Sequence, residues 1–134
     1  MSPDRRLLAA RIVFALYLAA VIWLCFGQFD GLPDVERSFW GIPTDKIAHF
    51  LMFFPFPVLA YYAFDRYSPK FPVAILWTLV AFLAGILIAA GTELGQARLT
   101  SYRSGDILDF RADLLSLGIS TFFVLLLNLR KLRK

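Results

Sequence analysis

The chain has one histidine, in the stretch TDKIAHF at residues 44–50, where a long apolar segment begins. Asp45 precedes His49 by about one helical turn, so both side chains would share one face of a helix. An imidazole beside a carboxylate can carry a proton in general acid–base chemistry. The plainer interpretation is that Thr44 and Asp45 cap a helix and that His49 is a hydrogen-bonded packing residue.

A second polar pair ends the third apolar segment. Ala81, Gly85 and Ala89 recur every four residues, a spacing that permits close approach of another helix. Glu93 is the next residue in this series, so we expect its carboxylate to point into a helix bundle, with Gln96 on the same side. The alternative is that Glu93 has already left the membrane and is solvated.

The third polar stretch is RSGDILDFRADLLS at residues 103–116. A helix that starts near Ser104 would carry one polar stripe, formed by Asp106, Asp109, Asp113, Ser116 and Ser120. The helix dipole favours acids in the first turn, which gives Asp106 and Asp109 a structural explanation. Asp113 lies deeper, where an unpaired carboxylate is costly, so we expect it to have a partner, a proton or water.

These stretches define a candidate site. The candidate acid–base residues are His49, Glu93, Asp106 and Asp109. The candidate ligand-binding residues are Asp45, Lys46, Gln96, Arg103 and Asp113. Lys46 and Arg103 could hold a phosphate. One histidine among carboxylates could hold a divalent cation, but the spacing matches no recognised ligand motif, so we expect no metal and no other cofactor. Since nucleophile elbows and P-loops are absent from the sequence, whether the site catalyses a reaction is left open.

The composition indicates how these residues are positioned. Hydrophobic residues make up 59% of the chain and charged residues 18%, and the mean hydropathy is +0.66. A soluble domain of 134 residues could not bury so much apolar surface. Four segments approach the roughly 20 residues needed to span a bilayer, at about 7–29, 47–64, 71–95 and 104–129. We predict one all-α domain over residues 1–134, a polytopic bundle of four transmembrane helices.

Basic residues predict the orientation of this bundle. With four spans both termini share a side, and nine lysines and arginines fall there: Arg5, Arg6, Arg11, Arg66, Lys70, Arg130, Lys131, Arg133 and Lys134. Five fall on the other side: Arg37, Lys46, Arg98, Arg103 and Arg111. The positive-inside rule therefore predicts cytoplasmic termini and an extracytoplasmic candidate site. The first segment is longer than a signal-peptide core and lacks an A-x-A site, so we expect it to remain as a span.

Two further segments carry weaker signals. Pro55 and Pro57 fall inside the second span and should kink or unwind it. The connection over residues 29–43 contains Phe39 and Trp40, which favour an ordinary loop with an aromatic interface anchor over a cover for the site.

The motif order resembles the VanZ-like membrane proteins, bacterial proteins named after a factor associated with teicoplanin resistance. The similarity lies in D-K-x-x-H-F, E-x-x-Q and R-x-x-D-x-x-D, carried by Asp45, Lys46, His49, Phe50, Glu93, Gln96, Arg103, Asp106 and Asp109. Asp113 stands where the family commonly has asparagine, and Ser116 where it commonly has glycine. The resemblance implies a small multi-pass protein of the bacterial cytoplasmic membrane, linked to the cell envelope and glycopeptide resistance. It implies no particular reaction.

The expected function is to bind or act on a cell-envelope lipid, a lipid-linked precursor or a glycopeptide. The alternative is a structural or partner-binding protein whose charged cluster is an ion-pair network fastening the helix ends. Membrane lipids are expected partners and nucleic acid is not, because the basic tail LRKLRK is typical of a topology anchor. The small-residue face of the third helix leaves a homodimer open.

Overall fold

The computed structural model describes residues 2–27, 38–65, 70–101 and 105–133. Within these ranges the chain is helical apart from one short hairpin, as the sequence predicts. Four helical segments are long and apolar enough to cross a membrane: Pro3–Phe26, Thr44–Phe64, Phe71–Leu99 and Ile107–Leu129.

The first helix, α1, covers Pro3–Phe26 and begins four residues before the predicted start. The Ser2 side chain accepts the Arg5 N–H at 3.4 Å, and Pro3 suits the first helical position. This cap extends the helix beyond the apolar run into the basic N-terminal stretch. Gly27 is extended and ends α1 at Phe26, three residues before the predicted end near residue 29.

A short antiparallel hairpin precedes the second span. Strands β1, Ser38–Phe39, and β2, Ile42–Pro43, are joined by Trp40 and Gly41, both with positive φ angles of 52° and 77°. Positive φ at both central residues is the backbone of a tight hairpin turn, and glycine adopts it without strain. The Trp40 side chain is 91% exposed at the tip. The hairpin was not predicted, and it leads directly into Thr44.

The second span is broken, as its two prolines predict. Helix α2 covers Thr44–Phe53 and α3 covers Pro55–Ala60, followed by a π-helical turn at Tyr61–Asp65. Proline lacks the N–H that would continue the helical hydrogen bonds. Near the break, hydroxyl groups of other helices bond to backbone carbonyls: Ser116 to Phe50 and Tyr17 to Met52, each at 2.6 Å. These bonds fasten α5 and α1 to the second span beside its break.

The last two spans pack closely against each other. Helix α4 covers Phe71–Leu99 and α5 covers Ile107–Leu129, followed by a 3₁₀ turn at Arg130–Arg133. A Cβ on Gly85 would lie 2.8 Å from the Leu117 side chain, so the predicted small-residue face does admit a neighbouring helix. Helix α5 begins later than predicted because Asp106 is extended and caps it, accepting the Leu108 N–H at 2.8 Å.

The apolar core lies directly beneath the polar end of the bundle. Its buried members come from all four spans: Val21, Cys25, Phe53, Phe56, Ala89 and Leu117. Side-chain contacts join the first turns of α2 and α5 to the last turns of α1 and α4. Four helix ends therefore meet at one end of the bundle, and this convergence positions the candidate site.

Candidate functional site

Lys46, in the first turn of α2, is surrounded by carboxylates. Its ammonium donates to Asp45 at 3.0 Å, to Asp106 at 2.7 Å and to Oδ1 of Asp109. The Lys46 and Asp109 side chains are 14% and 12% exposed, whereas Asp45 is 56% exposed. The Lys46 ammonium holds the pKa of the Asp106 carboxyl below its ordinary value, because its hydrogen bond favours the ionised form. Lys46 thus joins the starts of α2 and α5.

His49 lies one turn deeper in α2 and faces three acids. Its Nδ1 is 3.1 Å and 3.4 Å from the two oxygens of Asp113, and 3.6 Å from Oε1 of Glu93. Its Nε2 is 3.8 Å from Oδ2 of Asp109. We assign the ring proton to Nδ1, because a carboxylate can only accept a hydrogen bond and Asp113 is the nearest acceptor. The Nε2 lone pair is then available to a proton or a cation.

Asp113 has a partner in His49, as a carboxylate at this depth requires. Its side chain is 0% exposed, on α5 behind the imidazole. Ser116, one turn further along α5, donates its hydroxyl to the Phe50 carbonyl of α2. These two residues, at the positions that depart from the VanZ-like pattern, therefore both bind α2 to α5.

Glu93 points into the bundle, as its place on the small-residue face predicts. The residue is 8% exposed. Its Oε2 accepts the Asp106 N–H at 2.9 Å, which ties the end of α4 to the start of α5. Its Oε1 is buried and has no hydrogen-bond partner among the residues that the structure describes. This oxygen is the one polar atom of the charged cluster left in that condition within those residues.

Gln96 is buried on the same side of α4, and its amide nitrogen donates to the Cys25 carbonyl at 2.8 Å. This bond fastens α1 to α4 beside the site. Arg103, the predicted phosphate-binding arginine, lies outside the described residues. Of the predicted site residues, Asp45, Lys46, His49, Glu93, Asp106, Asp109 and Asp113 form one connected cluster.

Sequence reasoning missed two residues next to the cluster. Tyr17 reaches from α1 to the Met52 carbonyl at the break in α2–α3. A Cβ on Gly105 would lie 2.6 Å from the backbone oxygen of Glu93, so only glycine permits this approach. In the RSGD stretch this glycine directly follows the predicted helix start near Ser104, and it precedes the observed start at Ile107, where a glycine is a signal for a tight backbone approach.

The charges of the described cluster do not balance. Five carboxylates face one ammonium and one imidazole: Asp45, Glu93, Asp106, Asp109 and Asp113 against Lys46 and His49. With every carboxylate ionised, negative charges outnumber positive ones by three even when the imidazole is protonated. A site of this kind attracts protons and cations.

The architecture is that of a multi-pass membrane protein, since four helices are long and apolar enough to span a bilayer. No protein-family model matches the chain. An uncharacterised protein of Schizosaccharomyces pombe is 30% identical to it over 91 residues, which are 68% of this chain and 52% of the yeast protein. The chain thus spans about half the length of that relative. No solved structure matches the chain.

Proposed function

We propose that this chain is a VanZ-like multi-pass protein of the bacterial cytoplasmic membrane, with cytoplasmic termini and its charged cluster at the extracytoplasmic face. The cluster binds the polar head of a membrane lipid or lipid-linked envelope precursor and acts as general base or acid in its reaction with a hydroxyl or water, taking the proton of the attacking oxygen and returning one to the leaving group. The observation that carries the proposal is the buried His49–Asp113 pair, with Nδ1 and Oδ1 3.1 Å apart.

A buried carboxylate at Nδ1 fixes the tautomer and orientation of an imidazole and stabilises its protonated form. The opposite nitrogen can then act as a general base or acid toward a substrate hydroxyl or a water. Asp113 has this position behind His49, and its side chain is fully buried. An ion pair that only fastened two helices would not need an imidazole, whose proton exchanges near neutral pH.

The location favours a lipid as the ligand. The cluster lies at the ends of four apolar helices, and helices that span a bilayer would put it at the depth where lipid head groups meet water. A similar protein in Schizosaccharomyces pombe supports a ligand that is not restricted to bacteria. A phosphate-bearing membrane lipid meets this requirement, whereas the glycopeptide link comes only from the VanZ-like resemblance.

The test is to replace His49 with alanine. We expect His49→Ala to reach wild-type abundance in membranes and to retain lipid in mild detergent, while the retained lipid is no longer converted. Mass spectrometry of the lipids that copurify with each protein measures both properties. Ser120→Ala is the matched control, because it removes a fully buried hydroxyl of α5 outside the cluster. Identical retained lipids in wild type and His49→Ala, at equal abundance, would contradict the proposal.

One observation favours a second candidate, a structural ion-pair network. Lys46 bonds three carboxylates and leaves little of its ammonium for a ligand. Removing one partner of such a network destabilises the fold. In that case His49→Ala and Glu93→Gln would lower the folded yield in proportion to any change in lipid composition.

A further inference from the structure

Three side chains of the cluster each use one atom for a protein contact and have a second atom within 4 Å of another of the three. Asp109 gives Oδ1 to Lys46 and turns Oδ2 toward Nε2 of His49, at 3.8 Å. Glu93 gives Oε2 to the Asp106 N–H, which leaves Oε1. His49 gives Nδ1 to Asp113, which leaves Nε2.

One carboxylate oxygen of Glu93 independently indicates a missing ligand. Oε1 of Glu93 is buried without a hydrogen-bond partner among the described residues, and it lies 3.6 Å from Nδ1 of His49. A buried ionised carboxylate oxygen without a partner destabilises the fold, and folded proteins rarely leave one in this condition. A cation bound between Glu93 and Asp109 would supply the missing partner.

The spacing suits a metal ion. One ligand atom from each of His49, Glu93 and Asp109 lies within 4.8 Å of the other two. Ligands bonded at about 2.0–2.2 Å to a single cation lie at most about 4.4 Å apart, so a small contraction completes the site. Asp113 is hydrogen-bonded to Nδ1 of His49. In metal sites a carboxylate commonly accepts a hydrogen bond from the second ring nitrogen of a histidine ligand and orients the ring.

A second acidic triad is a weaker candidate. Asp45, Asp106 and Asp109 also lie within bonding reach of one ion. The Lys46 ammonium already contacts all three of them and supplies the positive charge there. Of the deeper triad Lys46 contacts Asp109 alone, and no lysine or arginine among the described residues pairs with Glu93.

We propose that His49, Glu93 and Asp109 bind one divalent transition-metal ion, Mn²⁺ or Zn²⁺. An imidazole with two carboxylates suits these ions better than Mg²⁺ or Ca²⁺, which prefer oxygen ligands alone. Three protein ligands leave coordination positions for water and for a phosphate oxygen. The role of the ion rests on the proposed function: it offsets the excess negative charge, so that an acid-rich site can hold an anionic lipid head.

Metal binding can be measured without any lipid. The full chain, purified in mild detergent and stripped with a chelator, is dialysed against MnCl₂ or ZnCl₂, and the bound metal is measured by elemental analysis. We expect one bound ion per wild-type chain. We expect Glu93→Gln to bind no stoichiometric amount of metal. Asp113→Asn should bind about 10–100-fold more weakly, since its carboxylate orients the ligand. Ser120→Ala, outside the cluster, is the control; Asp45→Asn removes the exposed acid of the outer triad and should also bind as wild type does.

Two further measurements keep the test decisive if a variant folds poorly. Cys25 is the one cysteine of the sequence and is 1% exposed, so a thiol-reactive fluorophore reports unfolding. Added metal should raise the unfolding temperature of wild type and Asp45→Asn, and not that of Glu93→Gln. Electron paramagnetic resonance of bound Mn²⁺ should show coupling to an imidazole nitrogen in wild type that His49→Gln lacks.

The inference is overturned if stripped wild-type protein binds neither Mn²⁺ nor Zn²⁺, or if Glu93→Gln binds as wild type does. Loss of binding in Asp45→Asn would move the ion to the outer triad and also overturn it. If metal fails to bind while His49→Ala still blocks lipid conversion, the cation inference fails and the proposed function stands. If metal binds while no lipid is retained or converted, the proposed function fails alone.

Discussion

Replacing Lys46 with methionine should lower the free energy of unfolding by about 2–3 kcal/mol, a value between those for removing one partner of an exposed and of a buried ion pair. Methionine keeps the apolar stem and removes the ammonium. Oδ1 of Asp109, on a side chain only 12% exposed, then loses its cationic partner. Asp106 and Asp109 would also repel each other at the start of α5. We therefore expect the α2–α5 contact to open first.

The free energy of unfolding is measured in mild detergent by following the reaction of Cys25 with a thiol-reactive fluorophore. Asp45→Asn is the control, because it removes the most exposed of the three partners and should change the free energy of unfolding by at most about 1 kcal/mol. If Lys46→Met had the same free energy of unfolding as wild type, the carboxylates would be neutralised by something other than this lysine.

Replacing Gly105 with alanine should destabilise the protein by about 1–3 kcal/mol through overpacking against a backbone atom that cannot rotate away. The new methyl group would lie 2.6 Å from the Glu93 carbonyl oxygen and 3.0 Å from the Ala97 side chain. The chain before α5 must then move away from α4. That shift breaks the 2.9 Å bond from the Asp106 N–H to Glu93 and misplaces the carboxylate beside His49.

Gly118→Ala and Gly91→Ala are the matched controls, since a methyl group at either position meets nothing within 4 Å. Both lie inside helices, where alanine is favoured over glycine by up to about 1 kcal/mol, so neither should destabilise the protein. We expect the unfolding temperature to fall for Gly105→Ala alone. A fall of equal size in all three variants would indicate a general intolerance of added volume instead of a specific contact.

The number and class of helices could be predicted because they depend on local composition. Apolar length alone identifies the segments that became α1, α4 and α5. Pro55 and Pro57 predict the break between α2 and α3, because a missing N–H removes a hydrogen bond from the preceding helical turn. The predicted ends of the helices were less accurate, because Ser2 and Asp106 cap their helices through side-chain hydrogen bonds that hydropathy does not detect.

The membership of the site was predictable, and its pairing was not. The stripe on α5 and the small-residue face of α4 bring Asp113 and Glu93 inward, as helical periodicity requires. The sequence suggests Asp45 as the neighbour of His49, one turn away on the same helix. In the structure Asp45 bonds Lys46, and His49 takes Asp113, a residue 64 positions later. Tertiary packing chooses between such partners, and no local pattern encodes that choice.

The long sequence separation within the site has a consequence for biosynthesis. Lys46 and His49 precede Asp109 and Asp113 by 63 and 64 residues. At a translation rate of about 5–20 residues per second, the aspartates leave the ribosome roughly 3–13 seconds after the lysine and histidine. During that interval the nascent second span has a cation at its edge and no acid from the last helix to bind it. A chain truncated before α5 would therefore insert its first helices and still lack the site.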